Sequence, residues 1–141
     1  MKLRRYGIGV AFLLGWGLLS CATSTEPSVL PCTDASIASG GGVLLSVSSG
    51  TAPRFSWSPA CTAYSLVVTD SVGTTMWGVI SDSGSTLGPP VDYGALPAGP
   101  HSQTQAPVTL QAGKSYAVGL YRQYVTSPTP SDVLGAVAFR P

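Results

Sequence analysis

Charge is scarce in this chain. Asp, Glu, Lys and Arg make up 9% of its 141 residues, against roughly 25% in an ordinary soluble domain. Three of the seven basic residues, Lys2, Arg4 and Arg5, crowd into the first five positions. From residue 21 onward four basic residues (Arg54, Lys114, Arg122, Arg140) stand against six acidic ones, a net charge of −2. No basic patch exists to collect phosphates, which excludes a nucleic-acid partner. Histidine is nearly missing: His101 is the only one, and the three cysteines include no C-x-x-C pair, so a zinc site has too few ligands. Phosphate loops, dinucleotide fingerprints, calcium loops and the G-x-S-x-G elbow are also missing. No cofactor is expected. After residue 42 no helical period of useful length occurs, which leaves strands as the regular structure available to the chain.

What the chain has in quantity is small, hydroxylated and turn-forming residues. Seventeen Gly and twelve Pro are spread among apolar runs without a period, the composition of a β chain with many turns rather than of collagen or a disordered tract. The first segment differs. A positive "MKLRR" precedes the apolar "YGIGVAFLLGWGLLS", and polarity returns at "TSTEPS". About 15 apolar residues are short of the roughly 20 that a transmembrane helix needs, and the order matches a secretory leader. The leader ends in Leu18-Leu19-Ser20-Cys21. That ending resembles the lipobox of bacterial lipoproteins. The resemblance implies cleavage after residue 20, acylation of Cys21, and a membrane partner reached through that lipid. More than one acyl chain makes such anchoring stable without a transmembrane helix. Ala22 follows where Asp would signal inner-membrane retention in that family, so the outer membrane is the expected location where the organism has one.

With Cys21 assigned to lipid, Cys32 and Cys61 remain as an even pair in an exported, oxidising context. A disulfide between them is the expectation, and two free buried thiols are the alternative. Residues 21–41 contain mostly small and polar side chains and read as a tether, its later part stapled by Cys32. Residues 42–141 read as the folded domain. There, short β-like runs alternate with turn signals. "VLLSVSS" sets Val43, Leu45 and Val47 on one face, "RFSW" does so for Phe55 and Trp57, and "AYSLVVTD" aligns Tyr64, Leu66 and Val68 before "DSVG" turns the chain. "TTMWGVIS" (74–81), "TQAPVTL" (104–110), "KSYAVGLYRQY" (114–124) and "VLGAVAFR" (133–140) follow. The stretch 82–103 reads as mostly loop, with a short edge strand near "VDY". About seven strands over about 100 residues predict an antiparallel, immunoglobulin-like β-sandwich.

Three segments resemble a fibronectin type III domain. "PRFSWSP" is similar to that family's B strand, with Trp57 in the core, and "AYSLVV" to its C strand, with Tyr64 inward. "LQAGKSYAVGL" is similar to its E to F corner: Leu110, Gly113, then Tyr116, with Val118 and Leu120 alternating after it. The resemblance implies that the Tyr116 hydroxyl bonds to backbone across the corner. A true immunoglobulin bridge would need a cysteine at position 118, where Val118 stands.

Chemistry is thin. His101 could join Asp92 and a serine in a triad, but it lies in a Gly/Pro-rich loop and reads as solvent-exposed. Asp70, Asp82, Asp92 and Asp132 occupy turn-like positions, and turn formation accounts for each of them. An enzyme is therefore not expected. Trp77 alternates out of phase with Met76 and Ile80, and Tyr93, Tyr121 and Tyr124 fall in or near loops. These four rings either cover the edges of the core or form a platform for a glycan or an envelope protein. The segment 125–132, between the last two strands, is the loop that often carries recognition in fibronectin type III domains.

Overall fold

The computed structural model describes residues 29–33, 42–123 and 132–141. Eight strands form among them: β1 (Leu44–Val47), β2 (Arg54–Ser58), β3 (Ser65–Asp70), β4 (Thr75–Ser81), β5 (Val91–Asp92), β6 (His101–Gln105), β7 (Tyr116–Arg122) and β8 (Asp132–Phe139). They build two antiparallel sheets, β1-β2-β5 and β6-β4-β3-β7-β8, packed as a β-sandwich.

Period-two alternation accounts for the core. In β2, Phe55 and Trp57 point inward, with Arg54 and Ser58 exposed. In the larger sheet, register aligns two inward rows, Val79–Leu66–Leu120 and Trp77–Val68–Val118, and all six side chains are fully buried. The sheets meet where Phe55 stacks on Trp77 at 6.4 Å and packs edge-on against Phe139 at 6.0 Å. Full burial of each large apolar side chain contributes about 1.5–3 kcal/mol. The β3–β4 hairpin forms where "DSVG" predicts one. Asp70 Oδ1 accepts the N–H groups of Val72 and Thr74, and Gly73 takes the φ of +88° that the turn requires.

The stretch 82–100 is less of a loop than its composition suggests. Leu87 is buried and exchanges both backbone hydrogen bonds with Ala63, while Val91 packs opposite Phe55 in β5. The next strand falls at 101–105, not at the expected 104–110. Pro107 has no N–H to give a ladder, and 106–110 instead crosses between the sheets. Val108 N–H bonds to Met76 O, and Leu110 is buried. Tyr64, expected inward beside Leu66 and Val68, is half-buried just before β3. Its backbone bonds to Tyr121 O and to Ser81 N–H on the neighbouring strands.

Two features close the sandwich. Val43 N–H reaches Leu134 O at 3.3 Å, joining the sheets along one side. Gly135 makes that approach possible, because a Cβ there would lie 2.5 Å from the Val43 carbonyl oxygen. Residues 30–32 also dock on the domain as a parallel bridge. Cys32 N–H bonds to Thr62 O and Thr62 N–H to Leu30 O, both at 2.9 Å. Pro31 sits between these bonding residues, where its missing N–H costs nothing. The disulfide Cys32–Cys61 fixes this segment, and both half-cystines are buried. The part of the tether that is described, residues 29–33, thus lies against the sandwich. The leader, Cys21, the rest of residues 21–41 and Tyr124 lie outside the described residues.

The strands define two ends. One gathers residues 30–32, the start of β1, the β2–β3 connection, the end of β4 and the start of β8. We call it the N-terminal end. The other, the hairpin end, carries the β3–β4 turn and the corner before β7.

Candidate functional site

At the hairpin end the β3–β4 turn, the crossing segment and the corner before β7 enclose an open groove of about 430 Å³. Val72, Met76 and Val108 supply its apolar wall, with Asp70, Lys114 and Tyr116 among its polar lining. Val72 is 84% exposed at the tip of the turn, a high value for an aliphatic side chain. Asp70 is committed to the turn backbone, whereas the exposed Lys114 side chain has no hydrogen bond or ion pair among the described residues. The groove therefore presents apolar surface beside one exposed ammonium group. Sequence reading missed it because its residues come from three separated segments. An exposed valine inside a turn was the one local signal.

The corner itself has the bond that the resemblance implies. Tyr116 is buried, and its hydroxyl accepts the Gln111 N–H at 2.9 Å. Its ring packs against Phe139 at 5.9 Å, so one residue joins the corner to β8.

The three described aromatic candidates, Trp77, Tyr93 and Tyr121, do not gather into an exposed platform. Trp77 is fully buried in the core, because β3 pairing puts Trp77 opposite Val68 and so selects the Trp77/Val79 phase of β4 over the Met76/Ile80 phase. Tyr93 packs on Trp77 at 5.4 Å and donates its hydroxyl to Val108 O at 2.6 Å and Met76 O at 3.2 Å. Burial pushes its phenol above the ordinary tyrosine range. Tyr121, half-buried on the outer face of β7, leans across Gly119, its hydroxyl 2.7 Å from where a Cβ would stand. Tyr124 and most of the 125–132 loop lie outside the described residues.

His101 is a correction: it is buried rather than exposed. It opens β6 opposite Ser81, its ring lies against Gly99, and Nε2 pairs with Thr86 Oγ1 at 3.2 Å. Asp92, its nominal triad partner, belongs to the other sheet and makes a two-pronged bond to Arg54 at 2.6 and 2.9 Å. That guanidinium holds the Asp92 carboxyl below its ordinary range, chiefly by hydrogen bonding. Asp82 accepts the Ser102 hydroxyl at 2.6 Å, and Asp132 pairs with Arg122 at 2.8 Å. Each of these four aspartates, Asp70 included, thus has a local structural partner. Among the described residues no three His, Cys, Asp or Glu side chains gather as a metal site.

Compared with protein-family models, curated proteins and solved structures, the chain matches none.

Proposed function

We propose that this chain is an exported bacterial lipoprotein, anchored at the cell envelope through lipid on Cys21, whose sandwich is a non-catalytic binding or structural module. The observation that carries the reading is the Cys32–Cys61 disulfide. It pairs two of the three cysteines within the domain and leaves Cys21 alone at the end of a leader-like segment. A structural disulfide also accords with an oxidising compartment outside the cytoplasm. The groove at the hairpin end is the surface through which the module binds.

The sandwich is of fibronectin type III-like kind in this reading. The order β1-β2-β5 against β4-β3-β7-β8 and the Tyr116 corner bond support it. The extra edge strand β6 beside β4 departs from that pattern.

Expression of the full chain in a bacterium, with fractionation and intact-mass measurement, tests the anchor. A mature chain beginning at an acylated Cys21 in the membrane fraction is expected, outer membrane where there is one. The Cys21→Ser variant should lose the lipid mass and the membrane association. An unmodified Cys21 in a soluble fraction sinks the reading. Crosslinking of the anchored protein from substituted groove positions then tests the binding role, and neighbours captured equally from the opposite end would count against the groove.

A further inference from the structure

We infer that the disulfide sets how the sandwich stands on the membrane: its N-terminal end faces the lipid and the hairpin-end groove faces away. The inference rests on the anchor at Cys21 and adds an orientation to it. The first support is where the chain is held. Residues 30–32 are fixed to Thr62 by two backbone hydrogen bonds and to Cys61 by a covalent bond, all at the N-terminal end.

The second support is length. Cys21 and Val29 are eight residues apart, a distance the chain can span by at most about 28 Å when extended and by roughly 16 Å as an average coil. Without the bridge and the docked segment, the first core residue after Cys21 among the described residues would be Val43. Those 22 residues could reach about 75 Å, with an average near 26 Å. The seven residues of β7 run about 23 Å along the sandwich. With the staple the leash on average falls short of that span, and at full stretch exceeds it by only about 5 Å. Without it, either end could approach the membrane.

The third support is the surface at that end. Val29 and Leu30 are 46% and 73% exposed beside the point of attachment, and Val133 is 60% exposed at the start of β8. These apolar side chains suit the headgroup boundary of a bilayer better than water. The opposite end also exposes apolar side chains, Val72 at 84% and Val108 at 44%, but there they line the groove beside Lys114, away from the point of attachment.

The test uses the full chain, expressed, processed and reconstituted in phosphatidylethanolamine/phosphatidylglycerol vesicles. Acylated Cys21 and the intact disulfide leave no free thiol, so one introduced cysteine takes one fluorescent probe. Ser83→Cys marks the N-terminal end and Val72→Cys the hairpin end; both positions are exposed. Lipids spin-labelled at the headgroup should quench the probe at residue 83 several-fold more than at residue 72. Adding Cys32→Ala/Cys61→Ala should shrink that difference, provided circular dichroism shows the variant folded. The two-site comparison with the bridge intact is decisive by itself. Equal quenching, or stronger quenching at residue 72, overturns the orientation while leaving the anchor standing. Failure of the protein to bind vesicles, with an unmodified mass at Cys21, overturns the anchor and the orientation with it.

Discussion

Replacing both half-cystines, Cys32→Ala/Cys61→Ala, should cost this domain about 3.6 kcal/mol. The bridge spans a sequence separation of 29 residues. In the chain-entropy relation, closing a loop of that length removes about 12 cal/mol/K from the unfolded ensemble, or about 3.6 kcal/mol at 25 °C. Small domains have only about 5–15 kcal/mol of total stability, so the loss is a large share. At about 4–8 °C per kcal/mol for a domain of this size, the melting midpoint should fall by about 14–29 °C. Guanidinium unfolding measures the free-energy loss and thermal unfolding the midpoint, both followed by tryptophan fluorescence, since Trp77 is fully buried and the Trp57 indole N–H bonds to Cys61 O at 2.8 Å. The denaturant slope separates mechanisms. If the bridge acts on the unfolded chain, the variant unfolds to a more expanded ensemble and its slope rises. A loss below about 1 kcal/mol with an unchanged slope would refute the loop-constraint argument.

Further expectations follow from single contacts. Gly135→Ala puts a Cβ against the Val43 carbonyl oxygen at 2.5 Å and should destabilise by about 1–3 kcal/mol, with faster hydrogen exchange at the Val43 amide. Tyr116→Phe removes the acceptor of the Gln111 N–H and should cost about 1 kcal/mol in chemical denaturation; no measurable cost would show that water replaces the hydroxyl. Trp77→Ala empties the largest buried site, so a loss of about 3–5 kcal/mol is expected, and a near-neutral result would contradict its burial. The Arg54–Asp92 pair gives a pH signature of known sign. The Asp92 carboxyl is held below its ordinary value, so its contribution is present above the unfolded value and lost as pH falls through the lowered folded one. NMR titration of the Asp92 side chain should show the low value, and Arg54→Gln should return it to the ordinary range.

Much of the sandwich is legible in local pattern. Phe55 and Trp57, Leu66 and Val68, and Val118 and Leu120 are all buried, as their two-residue spacing predicts, because alternation is a property of one strand alone. β4 shows where that logic stops. Met76, Gly78 and Ile80 form one face and Trp77, Val79 and Ser81 the other, and apolar residues occur on both. Pairing of Val68 with Trp77 and of Leu66 with Val79 makes the choice. β6 illegibly combines His101 with four exposed polar residues. It is a strand because β4 offers it an edge, a non-local cause that leaves no apolar period behind.

The amino-acid sequence by itself determined the alternating faces, the hairpin at Asp70, and the even cysteine pair that the structure joins, since each depends on neighbouring residues or simple counting. Tertiary structure alone decided that Trp77 and His101 are buried, that three distant segments form the groove, and that residues 30–32 are fixed to one chosen end of the sandwich. These outcomes depend on which strands pair and which segments cross between sheets, and hydrogen bonds between distant residues set both.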